Sequence, residues 1–196
     1  MPRRNLIVIA GSLLALVLTM ALVWQTGVFR APRPALVGGP FQLVDQAGRP
    51  VTEAMLKGKW TLIFFGFTYC PDICPTTLQV MGMAQERLGP KAKDVQFVLV
   101  SLDPQRDTPA QMASYLDNEV FPKGTIGLTG TPAQVAAAAK AYRVAYQKVG
   151  DGSDYLINHS TPSYLMDPKG RFDRVIPFGI GPDEVVTQIT AAKSGR

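Results

Sequence analysis

The chain is poor in the side chains that handle soft metals and protons: two cysteines and one histidine in 196 residues. A structural zinc site is disfavoured, because such a site takes four protein donors and neither a third cysteine nor a second histidine exists. Charge is also scarce, with Asp, Glu, Lys and Arg at 18% and a net +5. No cluster of Lys and Arg is present that would track a phosphate backbone, which argues against nucleic acid as a partner. There is no internal repeat. What the chain has in quantity is apolar side chain, 46% of its residues, enough for one domain with a substantial core plus an appendage and too much for a disordered chain.

Part of the missing charge is missing from one place. Leu6 to Trp24 holds no charged residue and is dominated by Leu, Ile, Val, Ala and Met, which predicts an N-terminal transmembrane helix within residues 1–25. A run of about 19 apolar residues is longer than a signal-peptide core of about 7–15, and no small-x-small cleavage site follows it, so an anchor is expected rather than a cleaved leader. Arg3 and Arg4 precede the run, and Arg30 and Arg33 follow it, which blurs the charge contrast across the bilayer. The short N-terminal flank favours an N-terminus inside and a translocated remainder. Residues 26–40, rich in Gly, Pro and Ala, suit an extended spacer.

From Phe41 onward short apolar runs alternate with helical patterns. Phe41–Val44 and the turn Gln46-Ala-Gly-Arg49 predict a starting hairpin. Trp60–Phe67 is almost continuously apolar, the mark of a strand covered on both faces, and Val95–Leu102 is a second. A helix is expected from about Pro71 or Cys74 to Leu88. Three more are expected where a capping residue precedes proline: Pro109 to about Asn118, Pro132 to Tyr142, and Pro182 through Ala192. Thr125–Leu128, Val144–Lys148, Tyr164–Met166 and Phe172–Pro177 read as strands, with Asp167-Pro-Lys-Gly170 as a turn. Residues 41–196 therefore form an α/β domain with a mixed sheet flanked by helices, for which a thioredoxin-like fold is the economical choice.

Cys70 falls just past the first central strand, and Cys74 lies four residues on, at or near the start of a helix. Two side chains at i and i+4 share a helix face, and the helix N-terminus favours thiolate over thiol. A purely structural disulfide here would close only about five residues and stabilise by roughly 2 kcal/mol, less than a longer loop would give. Reactivity or metal binding is the better reading. His159 lies in the polar loop Asn158-His-Ser-Thr-Pro162, which a thioredoxin-type sheet brings beside the cysteine turn. Two thiolates and one imidazole form a set soft enough for Cu(I) and able to hold Cu(II) if an oxygen completes the shell. Asp103 follows the second central strand at the same sheet edge, where it either supports the metal donors or serves the turn at Asp103-Pro104. Asp107 and Thr108 read as helix caps, and Tyr155, Phe67 and the scattered methionines as packing.

The run Phe65-Gly-Phe-Thr-Tyr-Cys-Pro-Asp-Ile-Cys-Pro-Thr-Thr77 resembles the signature of the Sco/SenC family of copper chaperones. Leu102-Asp-Pro-Gln-Arg-Asp-Thr-Pro109, Gly127-Leu-Thr-Gly130, Tyr142-Arg-Val144, Asp154-Tyr155 with His159-Ser160, and Leu165-Met-Asp-Pro-Lys-Gly-Arg-Phe172 follow in the family's order. The resemblance covers about Phe41 to the C-terminus and implies copper as the cofactor, with Cys70, Cys74 and His159 as its ligands. It also implies delivery to the binuclear site of cytochrome c oxidase, with the copper-bearing oxidase subunit or another copper chaperone as partner. The expected location is the inner membrane, single-pass, with the soluble domain in the periplasm, or in the mitochondrial intermembrane space of a eukaryote.

Two positions depart from the family pattern. Tyr69 stands where relatives often have histidine, which removes an auxiliary metal contact. Pro162 falls where thioredoxins place the proline that faces the active-site cysteines, so a cis Thr161–Pro162 bond and a supporting role for Pro162 are expected. A thiol–disulfide oxidoreductase using Cys70 and Cys74 is the alternative function, although three intervening residues replace the two of thioredoxins. A peroxiredoxin-type peroxidase fits worse, since Thr68 is two residues before Cys70 where three are required.

Overall fold

The computed structural model describes residues 3–25, 37–160 and 162–195. The chain divides into two compact units, Met1–Pro34 and Ala35–Arg196.

The first unit contains helix α1, Arg3–Gln25. Where its side chains are described, residues 11–22, Leu13, Leu14, Leu16, Val17, Leu18, Met20 and Leu22 are all more than half exposed. Thr19 donates its hydroxyl back to the carbonyls of Ala15 and Leu16, so even this polar side chain is satisfied within the helix. Among the described residues no helix is long and apolar enough to cross a membrane. The expected transmembrane helix is therefore not established by the structure.

The second unit is built on a seven-stranded mixed sheet in the order β2-β1-β5-β4-β3-β8-β9. Its centre is β3, Trp60–Gly66, buried along its whole length, with β4, Val95–Ser101, parallel beside it. β5, Ile126–Thr129, continues the parallel block, and β1, Gln42–Asp45, and β2, Pro50–Thr52, extend it antiparallel. On the other flank β8, Ser163–Met166, and β9, Phe172–Ile176, run antiparallel. The hairpin turn and the later turn use one device twice. Asp45 and Asp167 each accept the backbone N–H groups at i+2 and i+4, and each pairs with the arginine at i+4.

Four helices follow the expected order: α2, Ile73–Leu88; α3, Pro109–Leu116; α4, Pro132–Ala141; and α5, Pro182–Ser194. All three proline starts hold. Thr108 and Thr131 cap their helices through side-chain oxygens, and Thr131 forms a full capping box with Gln134. Of the two cap candidates Asp107 and Thr108, it is Thr108 that caps α3; Asp107 is fully buried and spends its carboxylate elsewhere. α4 closes with Arg143 in the left-handed region (φ 58°), its N–H and that of Val144 bonding back to the carbonyls of Lys140 and Ala139. Two glycines permit close packing. A Cβ at Gly82 would stand 2.1 Å from the Val120 carbonyl oxygen, and one at Gly127 2.7 Å from Leu116 on α3.

One element was misread from the sequence. His159 is not in a loop but ends a strand, β7, Leu156–His159, paired antiparallel with β6, Tyr146–Val149. Residues 155–158 alternate buried and exposed, the period of a half-buried strand, although their polarity suggests a loop.

Candidate metal centre

β3 ends at Gly66, directly under the cysteine turn: a Cβ there would lie 2.9 Å from the Cys74 sulfur and 2.9 Å from the Phe64 ring. The chain then turns, with the Cys70 N–H donating to the Phe67 carbonyl, and enters α2 at Ile73. Cys74 is thus the second helical residue and fully buried. Cys70 lies outside the helix and is half-buried, so the two do not share a helix face by i,i+4 spacing as expected. Their relation is that of a cap. The Cys74 backbone N–H, one of the helix's orphan donors, points at the Cys70 sulfur, 3.4 Å away.

This arrangement separates the two thiols electrically. A hydrogen bond from the Cys74 thiol, together with backbone donors at Asp72 and Cys74 and the neighbouring His159, holds Cys70 at about 5, well below its usual value and against the opposing effect of burial. Cys74 moves the opposite way, raised by donating to Cys70, by burial, and by the charges of Cys70 and Asp107. At neutral pH the pair is a thiolate accepting from a thiol.

His159 reaches this pair from 85 positions along the chain, its Nε2 standing 3.9 Å from the Cys74 sulfur. Its Nδ1 is 2.8 Å from the Ser160 carbonyl oxygen. A carbonyl can only accept, so Nδ1 carries a proton, and in the neutral ring this leaves the Nε2 lone pair to face the sulfur. The ring is walled by Phe64 and Phe67, centroids at 6.3 and 6.1 Å. With bonds of about 2.3 Å to sulfur and about 2.0 Å to nitrogen, a shared ion sets S···N at about 3.5–3.7 Å, a few tenths of an ångström inside the observed gap. Among the described residues no group of three or more His, Cys, Asp and Glu side chains stands close enough together to hold a metal ion as it is.

The polar support below the turn comes from β4 and the segment after it. Asp107 accepts the Thr68 N–H at 3.2 Å, the Thr68 hydroxyl at 2.6 Å and the Ser101 hydroxyl at 2.6 Å. Burial pushes its carboxyl up, against the pull of those donors. Of the two parts expected of Asp103, the turn is present. Its backbone carbonyl accepts from Arg106 and Asp107 in a turn, while its carboxylate accepts the Tyr155 hydroxyl and Arg106 Nε, each at 2.5 Å. It touches the strand that carries His159 rather than the donors themselves. Pro162 is half-buried just before β8, and the Thr161–Pro162 bond lies outside the described residues. Tyr69 is 51% exposed beside Cys70. Sequence reading passed over Arg106, Thr68 and Ser101. The signal for Arg106 was its place three residues after Asp103 in a run already singled out.

A family model described as SCO1/SenC matches residues 30–194. The chain belongs to the SCO1/SenC family. Among curated relatives it is 46% identical over 140 residues to the Arabidopsis thaliana protein named SCO1 homolog 1, mitochondrial, covering 70% of this chain and 41% of that one. The chain thus spans well under two thirds of that SCO1 relative's length. Among solved structures it is similar to Bradyrhizobium japonicum ScoI with copper bound, at 43% identity and a TM-score of 0.73, covering 80% of this chain and 99% of that one. It also resembles BsSco, described as a member of the Sco family of cytochrome c oxidase assembly proteins with a disulfide switch, at 26% identity, a TM-score of 0.64, and 82% and 96% coverage. The expected thioredoxin-like α/β class is that of these Sco structures.

Proposed function

We propose that this chain binds one copper ion through Cys70, Cys74 and His159 and delivers it to the binuclear copper site of cytochrome c oxidase, acting as a metallochaperone rather than an enzyme. The observation that carries the reading is the 3.9 Å approach of His159 Nε2 to the Cys74 sulfur, with the Cys70 sulfur accepting the same residue's backbone N–H. The donors suit the cargo: two sulfurs and one imidazole accept Cu(I), and a water or acceptor ligand completes a shell for Cu(II). Closing the site brings the imidazole a few tenths of an ångström nearer to the Cys74 sulfur and requires Cys74 to give up its proton. Copper bound in the Bradyrhizobium relative supports the choice of metal. Asp103 and Pro162 act on the donors from behind, and the partner is the copper-bearing oxidase subunit or another copper chaperone.

The uncharged run Leu6–Trp24 supports a single membrane anchor, with residues 26–40 as tether and the domain on the periplasmic side, or in the intermembrane space of a mitochondrion. A protease-protection assay on sealed vesicles tests this: degradation only after the outer face is opened is expected, and degradation from the cytoplasmic face overturns it.

The second reading, a thiol–disulfide oxidoreductase acting on the cysteines of an oxidase subunit, is favoured by the ionised Cys70 beside a protonated Cys74. Cys70 would attack a partner disulfide, releasing one partner thiolate. Cys74, losing its proton, would then attack the Cys70 sulfur, releasing the partner's second thiolate and leaving a Cys70–Cys74 disulfide, with two electrons passed to the partner. Copper titration of the reduced protein separates the readings. Metallochaperone function predicts one copper per chain, thiolate-to-Cu(II) charge-transfer bands, and far weaker binding in His159→Ala. Reductase activity that survives His159→Ala in a protein that holds no copper assigns the chain to the second.

A further inference from the structure

The strand that brings His159 to the cysteines is not anchored by its backbone. Among the described residues β6 and β7 pair with each other and not with the seven-stranded sheet. A two-stranded hairpin alone is marginal in water. On its outer side the cross-strand pair Val149 and Leu156 is exposed, so side chains on the inner side must hold it.

Those side chains converge on Arg106. Its guanidinium carbon lies 3.7 Å from the ring centre of Tyr155, the residue before β7, and 4.7 Å from that of Tyr69, the residue before Cys70. Nε donates to Asp103, which also accepts the Tyr155 hydroxyl, and Nη1 donates to the Ser153 carbonyl in the turn between β6 and β7. Lys148 of β6 is also 3.7 Å from the Tyr155 ring centre. Two cations cannot share one face at that distance, so they take opposite faces and the ring is clasped from both sides. Nη2 is buried without a hydrogen-bond partner. Stacking on aromatic faces is what a planar guanidinium does and an ammonium does not.

We propose that Arg106 is a positioning residue: wedged between Tyr69 of the cysteine turn and Tyr155 of the histidine strand, it sets the separation between His159 Nε2 and the sulfurs. The geometry stands without copper, but its consequence for copper rests on the function proposed above. Neither tyrosine donates to the metal; each is a handle on the segment that does.

The test uses the full reduced chain with Arg106→Ala and Arg106→Lys, each also combined with His159→Ala. Cu(I) affinity is read by competition with a chelator of known affinity. Hydrogen exchange is read on the metal-free protein. Arg106→Ala is expected to weaken Cu(I) binding about tenfold or more, the usual effect of removing a group that orients a ligand, and Arg106→Lys to recover little of it. In the His159→Ala background the same substitution should change affinity by less than about twofold, because the ligand it positions is already gone. Equal losses in both backgrounds would overturn the proposal. In the metal-free protein, amides of β7 should exchange faster in both Arg106 variants while those of β3 and β4 stay protected; unchanged exchange in β7, or equal acceleration throughout under Arg106→Lys, overturns it as well. If the unsubstituted chain takes no copper, the proposed function fails and the exchange arm still decides the clamp.

Discussion

Removing the Asp107 carboxylate should be the most damaging small change near the cysteines. The group is fully buried and takes three donors: the Thr68 N–H, the Thr68 hydroxyl and the Ser101 hydroxyl. Asp107→Ala leaves all three without an acceptor, at about 1–3 kcal/mol for each group that stays unsatisfied. The Thr68 hydroxyl can turn away, because its oxygen already accepts from Gln111 Nε2, and the new space admits water. A loss of about 3–5 kcal/mol is therefore expected rather than the full sum. Asp107→Asn is the control. Its carbonyl oxygen keeps the Thr68 N–H and one hydroxyl, its NH2 can donate to the Ser101 oxygen, and the cost should fall to about 1 kcal/mol. Urea unfolding of residues 35–196, followed by far-UV circular dichroism, measures both. Because Thr68 stands two residues before Cys70, Asp107→Ala should also alter the alkylation rate of Cys70 where Asp107→Asn does not. An Asp107→Ala protein no less stable than Asp107→Asn would refute the reasoning, since the donors would then have had other partners.

In the reduced, metal-free protein, alkylation of Cys70 should titrate with a midpoint near pH 5: the thiolate persists above that pH and is lost as pH falls through it. A midpoint at 8 or higher, read by iodoacetamide kinetics and mass spectrometry, would remove the thiolate from the site. Copper binding above pH 6 should release about one proton per ion from the sulfurs, that of Cys74, so affinity rises about tenfold per pH unit; pH-dependent competition titration checks the slope, and a flat profile refutes it. Gly66→Ala places a methyl 2.9 Å from both the Cys74 sulfur and the Phe64 ring. Overpacking of this kind should cost about 1–3 kcal/mol and weaken copper binding, whereas an unchanged unfolding midpoint would show that the turn yields freely.

The sulfur half of the candidate site was legible because it is local. A buried strand, a turn and a helix start occupy Trp60 to Leu88 in unbroken order, and the placement of Cys70 and Cys74 at a helix N-terminus follows from that order alone. The proline-marked starts of α3, α4 and α5 were equally plain, since a cap and a fixed φ act within four residues. The strand character of β7 was hidden by its composition: Asn158 and His159 look like loop residues until Tyr155 and Ile157 are seen to face inward. Asp107 looks like a cap because caps are recognised by sequence neighbours, while its real partners lie at the ends of two parallel strands, Ser101 closing β4 and Thr68 two residues past β3.

The sequence by itself determined that this protein has a reactive sulfur pair at a strand-to-helix junction and a single imidazole to join it. Only the tertiary structure decided that the imidazole reaches the Cys74 sulfur, that its Nδ1 faces the Ser160 carbonyl, and that the Asp107 carboxylate gathers the donors of Thr68 and Ser101 below the junction. The physical reason is separation along the chain. Helix caps and turns are fixed by residues a few positions apart, but the approach of His159 to Cys74 depends on sheet order and on a hairpin outside the sheet, held by side chains whose spacing in the sequence carries no trace of their contact.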